Sequence, residues 1–374
     1  MKQTPIHSFH VENGGQLVDY TGWALPLRYT SIIEEHNQVR ASGGIFDVSH
    51  MGRLRFKGLH AKRLLERACT RRVGTMQPGQ CRYTLICNDR GGVRDDALVY
   101  KFDDDSWYMV CNGANRQKIV DHLASIKADR DLKVDIADET EKTAMIAAQG
   151  PKIVDLVSTV SKEIPALKKY RFTEKNLVIA KLLVSRTGYT GEDGFEVIMP
   201  KGVVGIAMKM LLKEIDPKDP DAPVKPAGLG ARDTLRIEAG MPLYGQEFGE
   251  DISALAAGFG FAMNLDKSEE ADGETFVGQE ALVKEQEAGG PARILAGLEI
   301  DSKRTARPHM KVLVGGSEAG EVTSGCASPT LGKSIAMAYL DRAHTVPGTA
   351  VEIDFGKQTI GAKVVQLPFY KAPK

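Results

Sequence analysis

The sequence lacks the signatures of several functional classes. Its five cysteines form no Cys-x-x-Cys pair, and its eight histidines include no His-Glu-x-x-His spacing. We therefore expect reduced thiols and no metal site, because zinc and iron–sulfur centres need ligands at such spacings. Lys and Arg total 49 and Asp and Glu total 49, so the zero net charge disfavours a protein that binds nucleic acid through a broad basic field. No apolar run reaches the ~20 residues of a membrane span.

Motifs for common cofactors are also missing. The chain has no Gly-x-Gly-x-x-Gly after a strand, no Walker loop and no Gly-x-Ser-x-Gly elbow, so chemistry by NAD, ATP or an acyl-serine is not supported. Residues 1–7 lack both the apolar core of a signal peptide and the Arg and Ser content of an organellar presequence. We therefore expect a cytoplasmic protein, with a processed mitochondrial matrix protein as the alternative.

The length and the element pattern predict a multidomain α+β protein. At 374 residues, two or three domains are expected. Residues 52–138 show one helix, a strand meander and a second helix, which is typical of an α+β sandwich. Beyond residue 291, six short strands at regular spacing predict a small antiparallel barrel or sandwich. Ser31 and Glu34 have the spacing of a helix capping box, and residues 45–56 are predicted to form one continuous strand.

A predicted hairpin at residues 82–101 is the first candidate site. Glycines in the turn at residues 89–92 supply the positive φ that a tight reversal needs. Asp95 and Asp96 follow, and successive strand residues face opposite sides. One carboxylate can therefore enter an apolar cleft and hold a basic nitrogen. Both aspartates can instead be solvated turn residues.

Other polar residues suggest binding but leave alternatives open. Glu196 lies in a predicted strand, where it is either solvent-facing or a buried carboxylate that needs paired donors. Arg232 and Arg236 share one helix face and can be a structural set. Asn112 and Asn115 precede a helix, where they can help to bind an anion or simply cap the helix.

Five motifs together carry a resemblance to a known family. They are IFDVSHMG at 45–52, GGVRDD at 91–96 with Tyr100, TGYTGEDGFE at 187–196, GLGARDTLRIEAGMPLYG at 228–245 and TSGCASPTLGK at 323–333. Across nearly the whole chain, the sequence resembles the glycine cleavage system T proteins, the aminomethyltransferases. No single motif is as specific as the set.

The resemblance implies three domains in a cloverleaf-like arrangement around a central folate cavity. Residues 1–51 together with 139–285 would form a discontinuous α+β folate-binding core. Residues 52–138 would form an inserted α+β domain that carries the hairpin. Residues 290–374 would form the small antiparallel β-barrel.

The resemblance also implies the reaction. Tetrahydrofolate, a co-substrate, attacks an aminomethyl group carried on the lipoyl arm of H protein. The products are 5,10-methylenetetrahydrofolate, ammonia and dihydrolipoyl H protein, a step of glycine catabolism and one-carbon metabolism. The expected partners are lipoylated H protein and tetrahydrofolate, with no metal, nucleic acid or membrane, and the expected state is a monomer or weak oligomer.

Carried over by position, the resemblance assigns site residues. Asp96 matches the key catalytic acid, Glu196 the carboxylate that grips the pterin, and Arg232 an arginine near the reaction centre. Asp96 and Arg232 are the expected catalytic residues, and these three residues are expected to contact folate together with Met51, Tyr83, Tyr100, Asn112, Tyr189, Phe261 and Lys371. Two of these residues depart from the family pattern. Phe261 stands where many relatives have Trp, which keeps an aromatic side chain. Lys371 stands where some relatives have Arg, so the positive charge is kept but the forked guanidinium is lost.

Three other functions are compatible with parts of this pattern. A folate-dependent demethylase of the same fold would be favoured by changes around Asp96 or Glu196, and none are seen. A folate-binding factor for iron–sulfur assembly would carry Lys-Gly-Cys where this chain has Lys225-Pro226-Ala227. A folate domain split from a flavin amine oxidase is disfavoured because no flavin segment is present.

Overall fold

A computed structural model describes residues 1–159, 161–177, 180–207, 219, 221–269 and 274–373. The chain divides into two compact units. Unit 1 comprises Met1–Leu64, Thr75–Arg82 and Ala97–Asp233, and unit 2 comprises Leu65–Gly74, Tyr83–Asp96 and Thr234–Lys374. Helices and mostly antiparallel sheets confirm the α+β class. The three-part division by residue number stays a prediction.

The elements alternate irregularly along the chain. The helices are α1 (His7–Glu12), α2 (Ile32–Ala41), α3 (Ala61–Ala68), α4 (Arg116–Asp129), α5 (Ile153–Ser158), α6 (Leu229–Glu238) and α7 (Gln279–Glu287). The first strands are β1 (Lys2–Gln3), β2 (Gln16–Tyr20), β3 (Trp23–Arg28), β4 (Gly44–Asp47), β5 (Gly52–Lys57), β6 (Gln80–Cys87), β7 (Val93–Lys101), β8 (Ser106–Cys111), β9 (Asp135–Asp138) and β10 (Thr143–Gln149). The later strands are β11 (Phe172–Leu177), β12 (Ala180–Ser185), β13 (Gly194–Pro200), β14 (Lys225–Pro226), β15 (Arg293–Ile300), β16 (Lys311–Val314), β17 (Ser317–Ser328), β18 (Lys333–Asp341), β19 (Ala350–Asp354) and β20 (Thr359–Val365). Within the described ranges, no helix is long and apolar enough to cross a membrane.

A six-stranded sheet forms the centre of unit 1, in the order β11-β12-β13-β10-β4-β14. Its apolar face contributes Ile45, Ile146, Val184 and Phe195 to a buried cluster. Helix α2 begins where the capping box predicts, because the Ser31 hydroxyl accepts a hydrogen bond from the Glu34 amide at 3.2 Å. A separate three-stranded sheet has the order β1-β3-β2.

The prediction of one strand over residues 45–56 is wrong. Strand β4 pairs with β10 and β14, whereas β5 pairs with β8 and β9 in another sheet. Between them, the Asp47 carboxylate accepts a hydrogen bond from the Ser49 amide. The fully buried Arg53 guanidinium donates to the carbonyls of Ser49 and Met51. These side chains form hydrogen bonds with backbone groups that would otherwise pair with a neighbouring strand. The chain can therefore leave one sheet after β4 and enter the next at β5.

A five-stranded sheet contains the predicted hairpin, in the order β6-β7-β8-β5-β9. The turn between β6 and β7 is closed by Asn88, whose Oδ1 accepts hydrogen bonds from the Arg90 and Gly92 amides at 3.0 Å. Gly91 has φ +82°. A Cβ on Gly92 would lie 1.8 Å from the Glu250 carbonyl oxygen, so only glycine fits there.

A closed antiparallel barrel, in the order β15-β18-β17-β16-β19-β20, lies in unit 2 and confirms the C-terminal prediction. Its interior is filled by small and branched side chains, among them Leu298, Val312, Ala338 and Ile353. Alternation along each strand directs these residues inward, as a small barrel requires.

Helix α6 is held to the barrel by buried charges of unit 2. Arg236 is 2% exposed and donates to Glu247 Oε2 at 2.8 Å and to Ser324 Oγ at 2.7 Å. Glu238 accepts hydrogen bonds from the hydroxyls of Ser328 and Thr330. Arg236 is therefore a structural residue, as one reading of the arginine pair predicts.

Candidate active site

Glu196 is a buried carboxylate in the middle of the unit 1 sheet. On β13 it lies opposite Ser185 of β12 and Ala147 of β10, and it is 6% exposed. Thr187 donates a hydrogen bond from Oγ1 to Glu196 Oε2 at 2.5 Å. Glu196 Oε1 accepts no hydrogen bond from any residue that the structure describes. The buried alternative for Glu196 is therefore correct, and one oxygen is left to accept a ligand N–H.

A row of hydroxyls leads to this carboxylate. Ser185 Oγ lies 2.8 Å from Thr187 Oγ1, and the Tyr100 hydroxyl lies 3.4 Å from Ser185 Oγ. Tyr100 is fully buried, and burial raises its pKa well above the usual value. Its hydroxyl therefore stays protonated and can donate toward Ser185.

Burial and nearby charges act in opposite directions on Glu196. Burial raises the pKa of the Glu196 carboxyl above its usual value, while the Thr187 hydrogen bond and the positive charge of Arg232 offset part of the rise. Cys81 is 4% exposed, and burial raises its pKa well above the usual thiol value. Of the groups that act on Glu196, Arg232 supplies the positive charge.

Arg232 presents an unpaired donor beside a narrow cleft. Its guanidinium lies 4.7 Å from the centre of the Tyr189 ring, a cation–π distance. Its Nη1 is buried and has no hydrogen-bond partner within the described part of the chain. The cleft is lined by Pro26, Phe46, Asp47, Ala227, Gly228, Leu229 and Arg232. A buried donor without a partner is costly, so Arg232 is suited to bind an acceptor that arrives with a ligand.

The loop that carries Tyr189 is fastened on two sides. Gln149 donates from Nε2 to the Thr187 carbonyl at 3.1 Å and accepts at Oε1 from the Thr190 hydroxyl at 3.2 Å. Arg40 donates to the Thr190 carbonyl at 2.7 Å and pairs with Glu192 at 2.8 Å. This loop therefore presents the Tyr189 ring from a fixed backbone.

His50 is a buried neutral imidazole near Arg232. It is 5% exposed, and none of the described residues forms a hydrogen bond with its Nδ1. Burial lowers the pKa of His50 to about 3, and the positive charge of Arg232 adds to that effect. Asp47 is bound by His10, whose Nε2 lies 2.9 Å from Asp47 Oδ2. Burial raises the pKa of Asp47, but the hydrogen bond and charge of His10 more than offset it, so the net shift is downward.

We expect His50 to remain neutral across the working range of the protein. Because burial and Arg232 both disfavour the imidazolium, the ring should not take up a proton between about pH 5 and 8. NMR chemical shifts of the His50 ring that stay constant over this pH range would show that the imidazole remains neutral. A ring that titrates in this range would contradict the assigned burial.

The Asp96 site lies in unit 2, on strand β7. Asp95 is fully buried, whereas Asp96 is partly buried, so the reading of both aspartates as solvated is wrong. The Tyr83 hydroxyl donates to Asp96 Oδ2 at 3.0 Å. Tyr83 stacks on Phe261 with ring centres 6.1 Å apart and an interplanar angle of 28°. Phe261 is 59% exposed, so an aromatic surface and a carboxylate are presented side by side.

Three other predicted folate contacts lie as follows. Met51 is partly buried, and its carbonyl accepts a hydrogen bond from Arg53. Asn112 precedes the short 3₁₀ turn Gly113–Asn115 and makes no side-chain cap hydrogen bond, so the simple capping alternative is wrong for Asn112. Lys371 is exposed near the C terminus. Their contacts with folate, like those of Tyr100 and Tyr189, stay predictions.

Sequence reasoning did not single out Thr187 or Ser185. The register of β12 against β13 places Ser185 on the same face as Glu196, and Thr187, two residues further on, hydrogen-bonds the Glu196 carboxylate. The signal that could have found them is the spacing Ser-x-Thr at the end of one predicted strand, followed by a glutamate in the next. A buried carboxylate needs such donors.

Comparisons with known proteins match nearly the whole chain. The GCVT N-terminal domain family matches residues 6–267, and the glycine cleavage T-protein C-terminal barrel domain matches residues 293–371. An aminomethyltransferase of Rubrobacter xylanophilus is 42% identical over 99% of this chain and 95% of its own length. One of Bacillus mycoides is 41% identical over 100% of this chain and 99% of its own length.

A solved structure extends the likeness to three dimensions. The crystal structure of glycine cleavage system aminomethyltransferase T from Bartonella henselae has a TM-score of 0.90 at 28% identity, and the match covers 99% of this chain and 98% of that chain. The fold and the matches define a transferase of one-carbon groups. The chain belongs to the glycine cleavage T-protein family, and its activity is that of an aminomethyltransferase of the glycine cleavage system. The resemblance that its motifs carry is confirmed.

Proposed function

We propose that this chain binds tetrahydrofolate through Glu196 and transfers to it the aminomethyl group carried by lipoylated H protein. The observation that carries the proposal is the Glu196 carboxylate, which is buried in a sheet with one oxygen held by Thr187 and the other without a donor among the residues that the structure describes. A pterin presents an amino group and a ring N–H side by side. The Glu196 carboxylate can accept both in a strong charge-assisted pair, because each oxygen has two lone pairs and Oε2 keeps one beside the Thr187 hydrogen bond.

The other residues take supporting roles in this proposal. Arg232, with its unpaired Nη1, supplies a donor to an acceptor atom of the ligand. The stacked rings of Tyr83 and Phe261 offer an aromatic wall that suits the aminobenzoyl ring. Met51, Tyr100, Asn112, Tyr189 and Lys371 are proposed as the remaining folate contacts or their supports.

Asp96 is proposed as the catalytic carboxylate. As a folate nitrogen attacks the iminium-like carbon, positive charge develops on that nitrogen, and a fixed carboxylate stabilises it. The carboxylate can also relay the proton that the nitrogen loses. The Tyr83 hydroxyl holds Asp96 Oδ2 at 3.0 Å, which fixes the orientation of the group before the reaction begins.

The proposal includes the partner and the compartment. H protein brings the aminomethyl group on its lipoyl arm, and the products are methylenetetrahydrofolate, ammonia and dihydrolipoyl H protein. The cytoplasm is the proposed location. Ammonia release from aminomethylated H protein, measured with and without tetrahydrofolate, tests the whole reaction. Release that does not depend on tetrahydrofolate would contradict it.

We expect Glu196→Gln to weaken tetrahydrofolate binding by about tenfold, because the neutral amide forms a weaker hydrogen bond than the charged carboxylate. Isothermal titration calorimetry on the folded variant measures this change directly. Glu352→Gln is a matched control that should leave binding unchanged, since Glu352 also lies on a strand and accepts a hydrogen bond from a threonine hydroxyl, but is exposed. An unchanged dissociation constant for Glu196→Gln would rule out its pterin role.

A further inference from the structure

The hydroxyl row of Tyr100, Ser185 and Thr187 has a defined direction. Each hydroxyl carries one hydrogen. The Glu196 carboxylate can only accept, so Thr187 must donate its hydrogen to Oε2 at 2.5 Å. Thr187 Oγ1 can then only accept from Ser185, 2.8 Å away. Tyr100, 3.4 Å from Ser185 Oγ, completes the row at its far end, so every hydrogen points toward Glu196.

The hydroxyl row supplies the uncharged hydrogen-bond donor to the Glu196 carboxylate, and Arg232 supplies the positive charge nearby. Thr187 and Arg232 act on the carboxylate, and the carboxylate in turn adds to the raised pKa of the Tyr100 hydroxyl and the Cys81 thiol beside it. Burial keeps the Tyr100 hydroxyl and the Cys81 thiol protonated, because the pKa of each is raised. Burial also disfavours the charged form of Glu196, and Thr187 and Arg232 oppose that effect. Thr187 is the group that touches the carboxylate.

We propose that Thr187 is the positioning residue of the folate site, where its hydroxyl fixes the orientation of the Glu196 carboxylate and favours its ionised form. The proposal rests on the proposed function, because it assigns the pterin N–H groups to the same carboxylate. With Oε2 held by Thr187, the side chain cannot rotate freely, and Oε1 faces the ligand in one orientation. Preorganisation of this kind lowers the entropy that binding would otherwise cost.

The test is the pH profile of folate binding to a Thr187→Val variant. Valine has nearly the same shape but no hydroxyl. We expect the affinity for 5-formyltetrahydrofolate to fall about tenfold, because binding must then immobilise a carboxylate that is no longer held in one orientation. This probe is acylated at N5, so that nitrogen does not titrate. In the intact protein, binding needs the ionised carboxylate and is lost as the pH falls through the pKa of Glu196. Loss of the Thr187 donor raises that pKa, so the acid-side loss moves to higher pH.

Two variants separate positioning from simple structural damage. Thr187→Ser keeps the hydroxyl and should retain the profile of the intact protein. Thr359→Val is a matched control, because exposed Thr359 on β20 also donates to a glutamate, Glu352, at 3.2 Å. It should change neither the affinity nor the profile. If Thr187→Val does not fold, Ser185→Ala should shift the profile in the same direction by a smaller amount.

The outcomes distinguish this inference from the function on which it rests. If Glu196→Gln weakens binding and Thr187→Val shifts the profile, both stand. If Glu196→Gln weakens binding but Thr187→Val and Ser185→Ala keep the profile of the intact protein, Thr187 is not a positioning residue. If Glu196→Gln leaves binding unchanged, the assignment of the pterin to Glu196 fails first, and this inference fails with it.

Discussion

Replacement of Asp96 by asparagine is expected to lower turnover about 100-fold or more and to leave the tetrahydrofolate dissociation constant nearly unchanged. Asparagine has the same size, and its carbonyl oxygen can still accept the 3.0 Å hydrogen bond from the Tyr83 hydroxyl. The change therefore removes the negative charge without removing the local geometry. Because that charge is proposed to act on the transition state, the loss should appear in kcat and not in folate binding.

The same hairpin provides a control for this experiment. Asp89 lies in the turn before β7 and is exposed, so Asp89→Asn removes one carboxylate of the hairpin without touching the site. Its turnover should be unchanged. Asp95 is unsuitable as a control because it is fully buried, and its replacement would test folding. Near-normal turnover of Asp96→Asn would refute the catalytic assignment.

Lys267→Met is expected to lower the free energy of unfolding by about 3–5 kcal/mol, more than any other variant proposed for this protein. The Lys267 ammonium is 0% exposed and lies 2.6 Å from Glu66 Oε2. It also donates to the carbonyls of Glu66 at 2.5 Å and Cys69 at 3.0 Å, at the C-terminal end of α3. Methionine fills a similar volume but leaves the buried Glu66 carboxylate without its counter-ion and two carbonyls without the ammonium donor, although Glu66 Oε1 keeps its hydrogen bond from the Gly74 amide. The loss should be visible as a lower midpoint in chemical denaturation followed by circular dichroism.

A surface pair with similar geometry is the matched control. Lys284 lies 2.6 Å from Glu280, but the two side chains are 69% and 83% exposed. Lys284→Met should leave the free energy of unfolding nearly unchanged, because water screens a pair of exposed charges. A double variant, Lys267→Met with Glu66→Leu, should recover part of the loss, because no buried charge then remains unpaired. Equal costs for Lys267→Met and Lys284→Met would show that burial does not set the value of the Lys267 pair.

Local rules in the sequence were enough to predict elements whose partners lie nearby. Ser31 and Glu34 are three residues apart, and the cap forms as expected. The barrel strands follow from alternation and turn spacing. The break between β4 and β5 could not be predicted in this way. It depends on Arg53, whose guanidinium binds carbonyls of the preceding loop and of residues about 90 positions later.

For the candidate site, residue types were predictable but their environments were not. Alternation predicted that Asp95 and Asp96 face opposite sides, but it could not say which carboxylate is buried, because both faces of that strand carry apolar neighbours. For Glu196, burial became clear only from its position between β12 and β10. The donor to its carboxylate, Thr187, lies at the far side of a glycine-rich loop, and pattern alone does not place that loop.

The division of the chain has a consequence for any attempt to treat this protein as modular. The backbone passes from one unit to the other five times, at 64/65, 74/75, 82/83, 96/97 and 233/234. A recombinant fragment that starts at Thr234 would lack Leu85, Cys87 and Val93, which pack with Phe248 and Phe276. Its severed apolar surface would favour aggregation in solution. A gene split, or a chimera with a relative, would have to carry the hairpin together with the barrel to keep this half of the molecule intact.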